Sequence, residues 1–159
     1  MKKVSIVFLQ AVVVLIAVIA LALLIWFPQV EGRAANLDLF NIYFDPLIMY
    51  AYAASVAFFV ALYKAFRLLG LVGDNKVFSS EAVGNLRAIK YCSIILSIMI
   101  VIAGAYIRLF HSADDDPAGF IALCIVTTFV SVVVATATAI FEKVLQNAID
   151  MKAENDLTI

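Results

Sequence analysis

Charged residues are scarce in this chain of 159 residues. They make up 14% of the sequence, hydrophobic residues make up 65%, and the mean hydropathy is +1.07. Soluble globular domains average about 25% charged and about 45–50% apolar residues. A small domain buries only about two-thirds of the surface of its unfolded chain, so a water-soluble fold would leave much of this apolar surface exposed. The composition excludes a water-soluble domain and indicates a membrane protein.

Asp, Glu, Lys, Arg and His are absent from the middle of every long apolar run. A proton- or ion-coupled transporter usually needs such a residue, because charge must be bound and released inside the bilayer. The absence argues against a pump or a coupled transporter, and it is compatible with a passive pore.

Residue types that bind metals or perform catalysis are equally scarce. Cys92 and Cys124 lie toward opposite sides of the membrane, about 15–20 Å apart in depth, whereas a disulfide needs Cα atoms within about 7 Å. We therefore predict two free thiols. His111, the only histidine, precedes three consecutive aspartates that suit a hard cation, although a solvated loop is the simpler interpretation. No zinc-ligand spacing, phosphate-binding loop or nucleophile elbow occurs, so we predict no enzyme, no metal site and no cofactor.

Four apolar runs are present, at residues 4–27, 46–66, 90–110 and 117–141. Each reaches the roughly 20 residues that a helix needs to cross about 30 Å of hydrocarbon. The first run follows two lysines, as in a signal peptide, but the apolar core of a signal peptide has only about 7–15 residues. It is therefore predicted to be a retained span. We predict an all-α membrane protein, a four-transmembrane-helix bundle in a single integral-membrane domain over residues 1–159.

The polar segment at residues 64–91, called the central segment, separates the two pairs of spans. Asp-Pro pairs precede spans two and four, at Asp45 and Asp116, where Asp suits the N-cap and Pro the first helical position. The central segment is predicted to restart as a helix near Ser79 or Ser80, with Glu81 in the first turn. Its predicted turn contains Gly70, Gly73, Asp74 and Asn75.

The pattern after the fourth span becomes amphipathic, and no Gly or Pro interrupts it. The last helix is therefore predicted to extend into the cytoplasm, with residues 142–159 forming a C-terminal helix and tail. The predicted apolar face holds Phe141, Val144, Leu145, Ala148 and Ile149, and the predicted opposite face holds Glu142, Gln146, Asn147 and Asp150.

Positive charge is distributed unevenly about the spans. Only Arg33 and Arg108 lie on one side, and the other nine cations lie on the opposite side. The positive-inside rule then places both termini and the central segment in the cytoplasm. The nine are Lys2, Lys3, Lys64, Arg67, Lys76, Arg87, Lys90, Lys143 and Lys152.

Small residues recur at every fourth position of two spans. Such stripes let helices approach closely, and we expect packing within one chain or between two copies. A polar path lined by hydroxyls is the alternative. The stripes are Ala53, Ala57, Ala61 and Ala65 on the second span, and Thr127, Ser131, Ala135 and Ala139 on the fourth.

Two short motifs resemble those of a known bacterial family, domain of unknown function 2975. One is the stretch FSSEAVGNLRAI at residues 78–89, similar to an FS-x-E…LR-x-I element between spans two and three of the family. The other is the C-terminal run ENDLTI at residues 154–159. The resemblance implies four spans in a bacterial cytoplasmic membrane and no established activity. Family genes often neighbour one for a small helix-turn-helix DNA-binding regulator, which implies a membrane-bound regulatory partner.

The leading hypothesis is an integral membrane protein that regulates or sequesters such a cytoplasmic regulator without contacting nucleic acid itself. Its alternative is a small homo-oligomeric pore or transporter subunit. Glu81, Asn85 and Arg87 are expected to be accessible to the partner. The predicted partner-binding residues are Phe78, Ser79, Glu81, Asn85, Leu86, Arg87, Glu154, Asp156, Leu157, Thr158 and Ile159.

A purely structural interpretation also accounts for the residue types of the central motif. In it, Ser79 caps a helix, Phe78 and Leu86 pack against the last helix, and Arg87 meets lipid phosphates. The tail is harder to explain in this way, because its apolar Leu157 and Ile159 follow acidic and amide residues and have no core to join.

Overall fold

The computed structural model describes residues 2–29, 43–110 and 117–156, and the regular structure in these ranges is helical. Helix α1 spans Lys2–Trp26 and continues into a short 3-10 turn at Phe27–Gln29. Helix α2 spans Pro46–Gly73, α3 spans Ser80–Phe110 and α4 spans Ala118–Asp156. All four helices are long and apolar enough to cross a membrane. The predicted all-α bundle of four helices is confirmed, while the acidic loop at residues 111–116 lies outside the described residues.

The last helix is the longest, with 39 residues. At 1.5 Å per residue it measures about 58 Å, roughly twice the 30 Å of a bilayer's hydrocarbon core. A helix of this length cannot be contained in the membrane. The predicted extension of the last helix beyond its span is therefore confirmed. We call residues 141–156, from the end of the apolar run to the end of the helix, the projecting part of α4.

The helices pack in chain order, α1 on α2, α2 on α3 and α3 on α4. Side chains that donate to backbone carbonyls show the direction of the first pair. The Tyr52 hydroxyl donates to the Leu24 carbonyl at 3.1 Å, and Gln10 Nε2 donates to the Phe66 carbonyl at 3.4 Å. Early residues of α1 thus meet late residues of α2, so the two helices are antiparallel.

Most of the helix surface is apolar and exposed. No residue of α1 from Val4 to Trp26 is buried, and Leu21, Ile98 and Phe129 are more than half exposed. Water would make this exposure costly, whereas lipid tails are as apolar as these side chains. The exposed apolar surface of the helices is therefore suited to contact with the lipid tails of a bilayer.

Buried apolar side chains concentrate where α2 ends and α3 begins, beside the projecting part of α4. Ala82 there has no exposed surface at all. We call this group the end cluster, and it joins three helices. Its buried members are Leu71, Ala82, Val83, Leu86 and Leu145, and Leu68, Val77 and Ile149 pack against them partly buried.

Helix α2 continues past Gly70, where a turn was expected. Its C-cap is Asp74, whose N–H donates to the Gly70 carbonyl at 3.0 Å. Asn75 then takes a left-handed φ of 57°, a conformation that Asn tolerates better than most residues. Burial of Leu71 in the end cluster favours the added turn of helix.

The predicted cap of α2 is confirmed. Asp45 Oδ1 accepts the Leu47 N–H at 2.8 Å, with Pro46 as the first helical residue. Asp116, the corresponding residue before α4, lies outside the described residues, and the Pro117 carbonyl accepts the Ile121 N–H at 2.9 Å. Cys92 and Cys124 are free, as predicted.

The predicted apolar face of the projecting part of α4 is wrong in part. Leu145 is buried and Ile149 packs on the end cluster, but Phe141 and Val144 are about 60% exposed. Glu142, expected on the opposite face, instead meets two cations of α3. These ion pairs require Glu142 to face α3.

Candidate functional site

The central segment starts α3 with a side-chain cap. Ser79 Oγ accepts the Ala82 N–H at 3.3 Å and donates to the Lys76 carbonyl at 2.8 Å. Glu81 lies in the first turn, where a negative charge is favourable near the positive end of the helix dipole. The predicted restart is confirmed, with Ser79 as the N-cap.

Two residues of the central motif are buried between helices. Leu86 belongs to the end cluster together with Leu145 of α4, which confirms the predicted packing of Leu86 on the last helix. Asn85 is 5% exposed, so the expectation that it would be accessible is wrong. Its Nδ2 has no hydrogen-bond partner in the part of the chain that the structure describes. A buried donor without an acceptor lowers stability.

Three charged side chains join α3 to α4. Arg87 Nε donates to Glu142 Oε1 at 2.8 Å, and Lys90 Nζ donates to Glu142 Oε2 at 2.6 Å. The side chain of Glu142 is 12% exposed, that of Lys90 21% and that of Arg87 57%. Arg87, which the structural interpretation expects to meet lipid phosphates, pairs with the Glu142 carboxylate. We call these three residues the charge clamp, because they hold the projecting part of α4 against α3.

The charge clamp lies just beyond the apolar run of α4, which ends at residue 141. Hydrogen bonds from Lys90 and Arg87 lower the pKa of Glu142, since they stabilise its charged form. The stabilisation by the charge clamp is therefore present at neutral pH. On the acid side, it is lost as the pH falls through this lowered pKa.

The accessible part of the central motif is aromatic and charged. Phe78 is 65% exposed, so it does not pack against the last helix as the structural interpretation expected. It follows Val77, which packs on the end cluster. Glu81 pairs with Arg67 of α2, and both side chains are about half exposed. Phe78 thus follows an anchored residue and lies three residues before Glu81, which belongs to an accessible ion pair.

The projecting part of α4 also exposes an apolar stripe. Phe141, Val144 and Met151 are 62%, 60% and 64% exposed. Their spacing of three and seven residues places them on one side of the helix. We call these three residues the α4 stripe. Leu145, one turn after Phe141, borders this stripe on the helix surface and is buried.

A family model, described as a protein of unknown function and designated DUF2975, matches residues 28–159. The chain belongs to this family. It is 38% identical over 161 residues to the uncharacterized membrane protein YoaS of Bacillus subtilis (strain 168), with all of both chains covered. No solved structure matches the chain. The resemblance inferred from the two motifs and the membrane nature of the protein are thereby confirmed.

The second family motif begins at the end of α4. Glu154 lies exposed in its last turn, about 18 Å along the helix from Glu142 at 1.5 Å per residue. Helix α4 ends at Asp156, and Leu157, Thr158 and Ile159 lie outside the described residues. The first motif thus lies at the start of α3, and the second begins in the last turn of α4. Partner binding by either motif stays a prediction.

Sequence reasoning missed the charge clamp. A signal for it exists, because Glu142 is the only acidic residue between Asp116 and Asp150. It stands at the end of a long apolar run, on the side where the cations collect. An isolated acid in that position predicts an ion pair with a neighbouring helix, although the sequence does not say which cation pairs with it.

The hydroxyls of α4 give little support to the polar-path alternative. Ser131 and Ala135 are buried on a helix that packs against α3, so packing of this stripe within one chain is confirmed. A hydroxyl that donates to its own helix has no hydrogen left to donate to a passing solute. Thr127, Ser131, Thr136 and Thr138 each donate to the carbonyl four residues earlier, at 2.7–2.9 Å.

Proposed function

We propose that this protein is a membrane anchor that binds a small helix-turn-helix regulator at the end of the bundle formed by the central segment and the projecting part of α4. The observation that carries the proposal is the position of Phe78, a large aromatic residue that is 65% exposed on backbone fixed by the end cluster. Exposed apolar groups with a polar rim are typical of protein interaction sites, and aromatic residues supply much of their binding energy.

The orientation that supports this proposal follows from the charge count. Nine of the eleven Lys and Arg residues lie on the side of the central segment and of both termini, which favours the cytoplasm for that side. We place the protein in the bacterial cytoplasmic membrane with both termini inside. A soluble regulator would then meet the central segment and the tail from the same compartment.

Charge complementarity suggests how such a regulator would be held. DNA-binding proteins carry a basic surface, and the tail of this chain carries Glu154 and Asp156 before apolar Leu157 and Ile159. An acidic and apolar tail is suited to a basic surface with an apolar pocket. In this proposal the tail and DNA compete for one surface of the regulator. The protein would thus sequester the regulator without touching nucleic acid itself.

The test compares what co-purifies from native membranes with the full-length chain and with a variant that ends at Ala153. We expect mass spectrometry to find a soluble DNA-binding protein with the full-length chain and to find it depleted from the shortened one. If both chains bring down only themselves, the proposal fails. Solute flux in reconstituted vesicles would then test the pore alternative.

A pair of point variants separates docking from folding. Phe78→Ala removes an exposed aromatic side chain from the proposed surface, and Phe110→Ala removes one that is 72% exposed at the far end of α3. We expect the first to reduce capture of the regulator at least tenfold and the second to leave it unchanged. Equal capture by both variants would exclude Phe78 from the docking surface.

A further inference from the structure

A groove with a volume of about 600 Å³ runs between α3 and α4, in the half of the bundle away from the end cluster. Gly104 and Ala105 of α3 line it and leave it room, because they have little or no side chain. A Cβ added at Gly104 would lie 3.4 Å from the Cβ of Cys124. The two helices therefore approach closely at the groove, and its walls are apolar.

The groove opens on the surface that faces the hydrocarbon of the membrane. Val101, Ile125 and Phe129 line it and are 53%, 65% and 67% exposed. Along α4 its lining extends from Ile121 to Val132, about 16 Å at 1.5 Å per residue. That length is close to half of the roughly 30 Å of hydrocarbon. The groove therefore matches one acyl chain within a single leaflet.

A cation stands at one end of this apolar groove. Arg108 lines the groove and lies in the last turn of α3, where a long side chain reaches the membrane interface. A guanidinium has five N–H donors and binds phosphate in a bidentate manner. It can therefore hold a phosphate in addition to a protein partner.

We propose that this groove binds an anionic phospholipid of the leaflet on the Arg108 side, with one acyl chain between α3 and α4 and the head-group phosphate on Arg108. Two independent features select this occupant. The apolar lining, one leaflet long, accepts the chain, and the single guanidinium at its end favours a head group with net negative charge. This site differs from the proposed docking surface and does not depend on it.

The test uses the full chain in maltoside micelles with added phosphatidylglycerol or phosphatidylcholine, and native mass spectrometry counts the lipids retained. We expect one phosphatidylglycerol per chain, retained about tenfold more than phosphatidylcholine, as for the gain of one charge-assisted contact. Arg108→Gln should abolish this preference, and Arg108→Lys should keep part of it. Loss of the preference in the first variant and its partial rescue in the second would support a charge contact rather than a folding defect.

A second pair of variants tests the groove itself. Ala105→Phe fills the groove and should reduce retention of both lipids, whereas Ala53→Phe, at an exposed alanine of α2, should change neither. Equal retention of the two lipids by the unmodified chain would overturn the proposal, and so would unchanged preference in Arg108→Gln. A dimer joined by oxidation of Cys124 of each copy, with no retained lipid, would assign the groove to a second copy of the chain.

Discussion

The half of the bundle around the end cluster and the half around the groove are held together in different ways. Near the end cluster, Ala82 and Val83 are 0% and 4% exposed and an apolar core joins three helices. Near the groove, Val101 and Phe129 are more than half exposed. Contact between α3 and α4 there relies on a glycine that lets the Cβ of Cys124 come close.

The solvent explains this difference. Burial of apolar surface is strongly favourable only where the alternative is water. Helix α4 is too long for its projecting part to lie within the membrane. Within the bilayer, helices associate through close packing of small residues and through hydrogen bonds. The Tyr50 hydroxyl, which donates to the Met99 carbonyl at 2.9 Å, is one such bond between α2 and α3. A buried apolar core in this protein therefore marks the part that meets water.

The strongest test of this contrast compares an apolar deletion in each half. Leu86→Ala should lower the free energy of unfolding by about 2–5 kcal/mol, because it leaves a cavity in the end cluster. Ile98→Ala, at a side chain that is 54% exposed, should change it by about 0.5 kcal/mol or less. Unfolding in mixed dodecyl sulfate and maltoside micelles measures both, and equal effects would contradict the contrast.

A smaller effect is expected from the charge clamp. In a double-mutant cycle of Lys90→Gln and Glu142→Gln, the coupling free energy should be about 1–2 kcal/mol, because both side chains are largely shielded from water. The cycle with Arg87→Gln should give a smaller coupling, because the side chain of Arg87 is 57% exposed and water screens its charge. A larger coupling for Arg87 than for Lys90 would show that burial does not set the strength of the clamp.

The smallest effect concerns the buried amide of the central motif. Asn85→Leu should raise the free energy of unfolding by about 1 kcal/mol, because it removes a buried donor and keeps the volume of the side chain. Asn85→Ala is the control, since it removes the donor but leaves a cavity. A loss of stability in Asn85→Leu would instead show that the amide is hydrogen-bonded, for example to a buried water. If Asn85→Leu still captures the regulator, the role of Asn85 is structural. Loss of capture by this stable variant would indicate a binding role.

Local chemistry predicted much of the fold. The four apolar runs, the Asp45 cap and the Ser79 cap each depend on neighbouring residues, and the structure confirms them. The rotation of the projecting part of α4 was predicted wrongly in part. Apolar residues such as Phe141 and Val144 lie around much of that helix near the membrane, so periodicity alone does not choose one face.

The sequence predicted where the candidate site lies in the bundle, but it did not predict which of its side chains are exposed. Both motifs lie at the end of the bundle formed by the central segment and the projecting part of α4, but burial of Asn85 depends on how α3 packs in that end. The same packing leaves Phe78 exposed. Neither outcome follows from residue type, because a short polar and a large apolar side chain usually have the opposite exposures.

By itself the sequence determined that lipid is the main solvent of this protein, that four helices cross it and that positive charge collects on one side. These properties are sums over many residues, so no single contact decides them. Only the tertiary structure decided which residues meet: Glu142 with Lys90, Leu86 with Leu145, and Arg108 at the end of a groove beside Gly104. Such pairings depend on the register and rotation of neighbouring helices, and these are set by many weak contacts acting together.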